Sequence, residues 1–480
     1  MRPPTVGFDL DMTLLDSRPG IAAAYQALSA EYGVEIDTAL VVSRLGPPLT
    51  HELANWFAPG QVESVAARYR ELYPGIAVAA APLLPGARES VEAVRAHGGK
   101  ALVVTGKFAA NAQLHLDHLR LTVDALYGDV WGAQKADALT EHHAEIYVGD
   151  HVGDMLAAHE AGAVAVAVQT GGCTADELRD AGAAVILRDL TEFPGWLDAY
   201  VLDGRLAALD AALRELGSVL VAFSGGADSA FLLAAAVRAV GPENVAAATA
   251  VSPSLPATEL AAAAEFARGL GIRHLTPRTD EMSREGYRAN AGDRCYFCKA
   301  ELLDTVLPLA AAHGLARVAT GTNADDAVAG FRPGIGAAAE RGAATPLLAA
   351  GLTKAQVRAA SRRWGLATAD KPAAACLSSR VAYGIAITPS RLARIERAEA
   401  GLRSALAEAG IGVANLRVRD LGDTARVEVD AAAVPLLAAH PAVLAAVEGF
   451  AEVTVDPRGF RSGSMNDLLS RSAEQDRANG

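Results

Sequence analysis

The sequence predicts an α/β protein of several domains, and three observations carry that prediction. Two distant stretches, TVGFDLDMT at 5–13 and VLVAFSGGADSAFLL at 219–233, each run a short apolar strand into a loop dense in Asp, Gly and Ser. Such a pattern opens a parallel α/β domain, whose ligands bind beyond the carboxyl ends of the strands. At 480 residues the chain exceeds one ordinary core, and half of it is apolar, enough to bury several.

Residues 1–198 form the first expected domain. Asp9 and Asp11 end its first strand, and helical patterning follows over about 16–80, as in SRPGIAAAYQALSAEYG. Three more strand ends arrive in order: ALVVTGK with Thr105, GAQKADAL with Lys135 near a helix start, and IYVGDHVGDM with Asp150 and Asp154. A carboxylate that attacks phosphorus needs Mg²⁺ to offset charge repulsion and a neighbouring acid for the leaving oxygen.

This ordered set resembles the haloacid dehalogenase superfamily, and more closely its phosphoglycolate phosphatase-like branch. The resemblance implies a Rossmann-like core with a helical cap that sets specificity. It makes Asp9 the nucleophile, Asp11 the acid and base, Thr13 and Thr105 phosphate-binding residues, and Lys135 the stabiliser of charge. Asp9, Asp11, Asp150 and Asp154 are the Mg²⁺ residues it implies. Met12 departs from the usual Gly.

A boundary is expected near residue 200, in RDLTEFPGWLDAYVLDGRLAAL, after the last strand-like run AAVILRDL. The second domain, 202–384, opens with VAFSGGADS. Its Gly225 and Gly226 let backbone N–H groups approach phosphate oxygens, Ser224 and Ser229 add hydroxyls, and a helix N-terminus follows. No Walker lysine is present. The stretch resembles the PP-loop signature S-G-G-x-D-S, which includes Asp228 and whose bearers cleave ATP between the α and β phosphates. TGTNADD at 320–326 ends another strand; Asn323, Asp325 and Asp326 there are expected to bind nucleotide or Mg²⁺, or to form a solvated turn.

NAGDRCYFCK at 290–299 holds Cys295 and Cys298, and DKPAAACLSSR holds Cys376. A C-x-x-C pair alone is a redox dithiol, half of a zinc site or part of an iron–sulfur site. Together with GFRSGSMNDLL near the C-terminus, these motifs resemble the LarE family of ATP-dependent sulfur transferases over roughly residues 202–470. The resemblance implies adenylation of a carboxylate on a pyridinium mononucleotide, then replacement of AMP by sulfur, in the making of a nickel-pincer cofactor. Cys376 is then the sulfur-bearing position. Some members sacrifice that cysteine; those with three hold a [4Fe–4S] cluster, and Cys295, Cys298 and Cys376 match the second group. Zinc and a dithiol are the competing readings. Cys173 matches no motif.

A third unit, 385–470, is expected to be a small α+β domain of the ferredoxin-like kind. A helix with a Thr cap and a first-turn Pro, TPSRLARIERAEAGLRSALAEAG, leads into strands NLRVRDLG and ARVEVD, a helical stretch, and the strand AEVTVD. Arg417 and Arg419 alternate on one strand face and, with Arg461, are expected to clamp the substrate's anionic groups. A frayed tail is expected over 471–480.

The formal charge of −13 argues against a nucleic-acid partner, and hence against the competing reading as a tRNA thiolase. A scaffold that binds nucleotide or a cluster without catalysis is the other alternative. No apolar run approaches a membrane span, and the N-terminal stretch is interrupted by carboxylates, so a cytoplasmic homo-oligomer acting on small molecules is expected. The fusion itself is unexplained by either motif set; removal of a phosphorylated by-product such as pyrophosphate is one expectation.

Overall fold

Short Val- and Ala-rich runs buried on both faces form two parallel sheets. The first has the order β3-β2-β1-β4-β5-β6, from β1 (Thr5–Phe8), β2 (Lys100–Val104), β3 (Ala125–Tyr127), β4 (Ile146–Gly149), β5 (Val164–Val168) and β6 (Val185–Leu187). The order reverses between β1 and β4, which opens a crevice at their carboxyl ends. The computed structural model describes residues 2–45, 48–328, 333–372, 375–461 and 464–465. The expected tail at 471–480 lies outside them.

The chain divides into two compact units, Arg2–Asp203 and Gly204–Gly480. The division falls inside a helix, Phe193–Leu216. The Pro- and Gly-containing stretch read from the sequence as a boundary is therefore helical, because Pro194 sits in a first turn, where its missing N–H costs no hydrogen bond.

Between β1 and β2 the first unit inserts a set of helices that includes Arg18–Tyr32 and Val62–Ile76, with a core of their own around Tyr25, Leu28, Val65 and Tyr69. Gly33, left-handed at φ 65°, ends the first of them.

The second unit carries the sheet β10-β7-β8-β9, from β7 (Val219–Ala222), β8 (Val245–Ala248), β9 (Arg273–Leu275) and β10 (Arg317–Thr320), all parallel. Its order reverses between β7 and β10. The same unit holds a three-stranded sheet of β11 (Leu416–Asp420), β12 (Thr424–Val429) and β13 (Glu452–Val455). β11 and β12 are antiparallel, but β13 returns through helices to pair in parallel with β12. A ferredoxin-like sheet has a fourth strand between those two, contributed ahead of the first helix. Here the segment before helix Pro389–Glu408 is loop and 3₁₀ turn, so that strand is absent among the described residues. Thr388 caps the helix by accepting the Arg391 N–H at 3.3 Å, with Pro389 in its first turn.

Candidate active sites

In the first unit, β1 ends at Asp9 and β4 at Asp150, side by side at the reversal point. Helix Val152–Glu160 adds Asp154 and helix Ala133–Glu141 adds Lys135. The Lys135 ammonium bonds Asp9 at 2.8 Å and Asp154 at 2.6 Å, with all four side chains buried. Tyr147 donates to Asp154 at 3.2 Å, and Thr13 donates to Asp150 at 2.9 Å. Thr13 thus orients a carboxylate. Two glycines permit this crowding: a Cβ on Gly149 would lie 2.4 Å from an Asp154 oxygen, and one on Gly171 1.8 Å from an Asp150 oxygen.

Ligand oxygens of Asp9, Asp150 and Asp154 lie within 4.8 Å of one another. Burial, together with the Asp154 charge and against the pull of Lys135, raises the Asp9 carboxyl to about 7. Burial, then Asp154 and Asp9, pushes Asp150 well above the usual range. Three buried carboxylates with one ammonium are short of positive charge, and the oxygen set suits a hard divalent cation such as Mg²⁺.

Asp11, expected among the metal residues, is turned away from that group. Its carboxylate pairs with Lys107 at 2.7 Å, and Lys107 in turn lies 4.8 Å from the Tyr73 ring centre. Burial alone would raise Asp11, but Lys107 holds it below the ordinary carboxylate value. Met12, just beyond it, adopts φ 61°, unusual for a side chain other than Gly, and its carbonyl accepts the Thr170 hydroxyl. Thr105 ends β2, buried at the cavity wall.

In the second unit the Gly225 backbone is left-handed at φ 72° and helix Ala227–Val240 begins directly after it. Ser224 and Ser229 hydroxyls lie 3.1 Å apart, and the Gly226 N–H points to Ser224. Asp228 pairs with Lys354 and accepts from the Asn323 amide at 3.2 Å. Asp325 accepts the Lys354 backbone N–H at 2.8 Å, while Asp326 exchanges bonds with Asn323 and lines the cavity. Lys371 spans Glu259 at 2.6 Å and the Gly225 carbonyl at 3.0 Å.

A cavity of ≈ 360 Å³ has Ser224, Gly226 and Ser229 at one part of its wall and Cys298 and Cys376 at another. Cys295 and Cys298 stand one turn apart at the start of helix Arg294–Ala312; Cys295 is exposed and the other two are half-buried. Burial, then the neighbouring Cys376, Glu281 and Cys295, pushes the Cys298 thiol up. Among the described residues they do not close to within 4.8 Å as a group. One tetrahedral zinc would draw thiolates to roughly 4 Å of each other, given bonds of about 2.3 Å. Thiolates of a cubane cluster bind three different irons and stand wider; the three cysteines supply the ligands of either group, zinc needing one more.

Arg380 holds the Cys376 loop. Its guanidinium donates to the carbonyls of Ala375 and Cys376, the latter at 3.0 Å, and to Glu399 at 2.9 Å. Arg419, expected to bind substrate, is buried and bonded to Glu428 at 2.7 and 2.9 Å, with a further bond to the Ser379 carbonyl at 3.1 Å. Arg417 shares its strand face, half-buried and 5.4 Å from the Phe460 ring centre. Burial, with Arg380 and Arg419 nearby, pushes it down to about 10. Arg461 lies 4.0 Å from Asp456. The expected three-arginine clamp is therefore reduced by Arg419, which Glu428 already occupies.

Residues 6–168 match the haloacid dehalogenase-like hydrolase family. The chain is 40% identical over 276 residues to an uncharacterised protein of Synechocystis sp., covering 56% of this chain and 100% of that one. It is 35% identical over 269 residues to the pyridinium-3,5-bisthiocarboxylic acid mononucleotide synthase of Lactiplantibacillus plantarum, a LarE protein, covering 55% of this chain and 95% of the relative. The chain belongs to the LarE family. In this LarE-family chain the sulfur-transferase-like region follows a haloacid dehalogenase-like domain. The latter is 27% identical over 193 residues to the phosphoglycolate phosphatase of Haemophilus influenzae, covering 35% of this chain and 85% of the relative. No helix among the described residues is long and apolar enough to cross a membrane.

Proposed function

We propose that this LarE-family chain makes a pyridinium thiocarboxylate mononucleotide with ATP, and that its first unit is a Mg²⁺-dependent phosphatase. The observation that supports the first activity is the single cavity shared by the S-G-G-x-D-S turn and Cys376. The N–H groups after β7 and the helix N-terminus hold ATP phosphates. A substrate carboxylate oxygen attacks the α-phosphorus and pyrophosphate leaves; sulfur then attacks the acyl carbon and AMP leaves. Cys295, Cys298 and Cys376 would hold a [4Fe–4S] cluster, which would supply the sulfur for transfer.

In the first unit Asp9 attacks phosphorus to form an aspartyl-phosphate, with Lys135 and Thr105 holding phosphoryl oxygens. Asp9, Asp150 and Asp154 hold Mg²⁺, which offsets the phosphoryl charge. The Lys107 ammonium lies against Asp11, so the proton for the leaving oxygen is kept on a Lys107–Asp11 pair, and the Asp11 carboxylate then activates water.

Incubation with ATP and the 3,5-dicarboxypyridinium mononucleotide, read by AMP release and mass spectrometry of the product, tests the first activity. AMP formation that ignores the pyridinium compound would count against it. Anaerobic reconstitution with iron and sulfide should give absorption near about 400 nm that is lost in Cys295→Ser; a colourless protein with stoichiometric zinc would remove the cluster.

A further inference from the structure

The cavity over Asp9 reaches well beyond the phosphoryl seat. It measures ≈ 230 Å³ and is lined by Arg44, Leu49 and Arg70 from the inserted segment and by Phe108 and Trp131 from the loops after β2 and β3. Tyr25, Tyr69 and Tyr73, which also touch it, pack on one another at 5.3–5.4 Å, centroid to centroid, and are buried in the helices' own core. Phe108, which is exposed, and the half-buried Trp131 are the aromatic surface that a two-carbon acid or pyrophosphate bound at Asp9 would leave against water. A planar ring would cover it.

The cations around the cavity are nearly all committed. Lys135 serves Asp9 and Asp154, Lys107 serves Asp11, and Arg44 lies 3.9 Å from Glu52. Arg70, on helix Val62–Ile76, is different. Its guanidinium lies 5.3 Å from the Phe108 ring centre, its Nε is buried with no hydrogen-bond partner, and among the described residues it has no ion-pair partner. A half-buried guanidinium with spare donors on a cavity wall is suited to a planar anion, above all a carboxylate.

We propose that the first unit hydrolyses a phosphomonoester whose leaving group is an aromatic ring system bearing a carboxylate, the ring lying against Phe108 and Trp131 and the carboxylate on Arg70. The bond between phosphorus and the leaving oxygen breaks, that oxygen takes a proton from the Lys107–Asp11 pair, and water releases phosphate from Asp9. The proposal rests on the phosphatase reading of this unit, and binding separates it from that reading.

The probes are 4-carboxyphenyl phosphate, phenyl phosphate, phosphoglycolate and pyrophosphate. Calorimetry with the full chain carrying Asp9→Asn, in Mg²⁺, reads binding; phosphate release by the parent reads turnover. 4-Carboxyphenyl phosphate is expected to bind about tenfold or more tighter than phenyl phosphate, the scale of one charge-assisted contact. Phosphoglycolate and pyrophosphate are expected to bind more weakly than 4-carboxyphenyl phosphate. Adding Arg70→Gln should bring the ratio of the two aryl phosphates close to one, and Arg70→Lys should restore part of it. Equal binding of the two aryl phosphates, tightest binding of phosphoglycolate or pyrophosphate, or a ratio unchanged by Arg70→Gln would overturn the proposal's cavity assignment. The binding preference without turnover would support that assignment and remove the phosphatase reading instead.

Discussion

At the end of β1 three buried carboxylates share one ammonium, whereas at the end of β7 each charged group has its own, more exposed partner: Lys354 for Asp228 and Lys371 for Glu259. The first arrangement is pre-assembled for a cation. In the second, the charges are satisfied by one another, and a nucleotide bound there as proposed would have to exchange those partners for its own phosphates and metal. Desolvation explains the contrast, since buried like charges persist only where a cation will neutralise them, while surface pairs form and part at little cost.

The sharpest way to break this comparison is to remove the proposed nucleophile. Asp9→Asn should lower phosphate release by roughly 10⁴ or more, the scale for a catalytic nucleophile, and leave AMP formation by the second unit intact. Loss of both activities would show that the sites are not separate. Next in size is the loop that carries Cys376. Arg380→Ala strands the buried Glu399 and should destabilise the second unit by about 3–5 kcal/mol in denaturant titration. Cys376→Ala, half-buried and without a side-chain partner to strand, should cost about 1 kcal/mol or less.

A smaller effect separates the two sites by their ligands. Mg²⁺ alone, at about 100 times its dissociation constant, should stabilise the first unit by ~2.7 kcal/mol in calorimetry and leave the second nearly unmoved. Protons compete for the same oxygens, and Asp9 holds its proton up to about 7 without the ion, so the Mg²⁺ gain should be larger at pH 8 than at pH 6. A pH-independent gain would place the ion elsewhere.

An effect confined to acid pH comes from His115, buried against the Tyr73 hydroxyl at 3.0 Å. Burial, with Lys107 nearby, lowers it from 6.5 to about 4, so the folded state prefers it neutral. Its contribution is present above pH 6.5 and is lost progressively as pH falls toward 4. His115→Leu should flatten the stability of the first unit over that window; an unchanged acid slope would assign it to other groups.

The strand-and-loop pattern was legible because each strand end is a local event: apolar run, then Asp, Gly or Ser. The parallel α/β fold class followed from it, and so did the order in which Asp9, Lys135, Asp150 and Asp154 arrive. What sequence spacing does not contain is the partner across the fold. Lys107 lay within ALVVTGK, but its pairing with Asp11 depends on how β2 sits beside β1. Arg419 looked available because its strand neighbours are visible in the sequence and Glu428 on β12 is not; pairing register is a tertiary property. Arg380 could have been suspected from its position four residues after Cys376, yet its two carbonyl acceptors are visible only once the loop is folded. The missing strand of the third sheet was misjudged because helix and strand order alone does not fix which strands pair.

The loop of Cys376 is fastened by the oxygens of its peptide bonds, through Arg380 and, at Ser379, Arg419. Nothing in that fastening refers to the sulfur. A change at the sulfur therefore removes none of the hydrogen bonds that hold this backbone. A worn or altered residue at this position would persist as a folded, long-lived protein, recognisable by its mass and not by its shape.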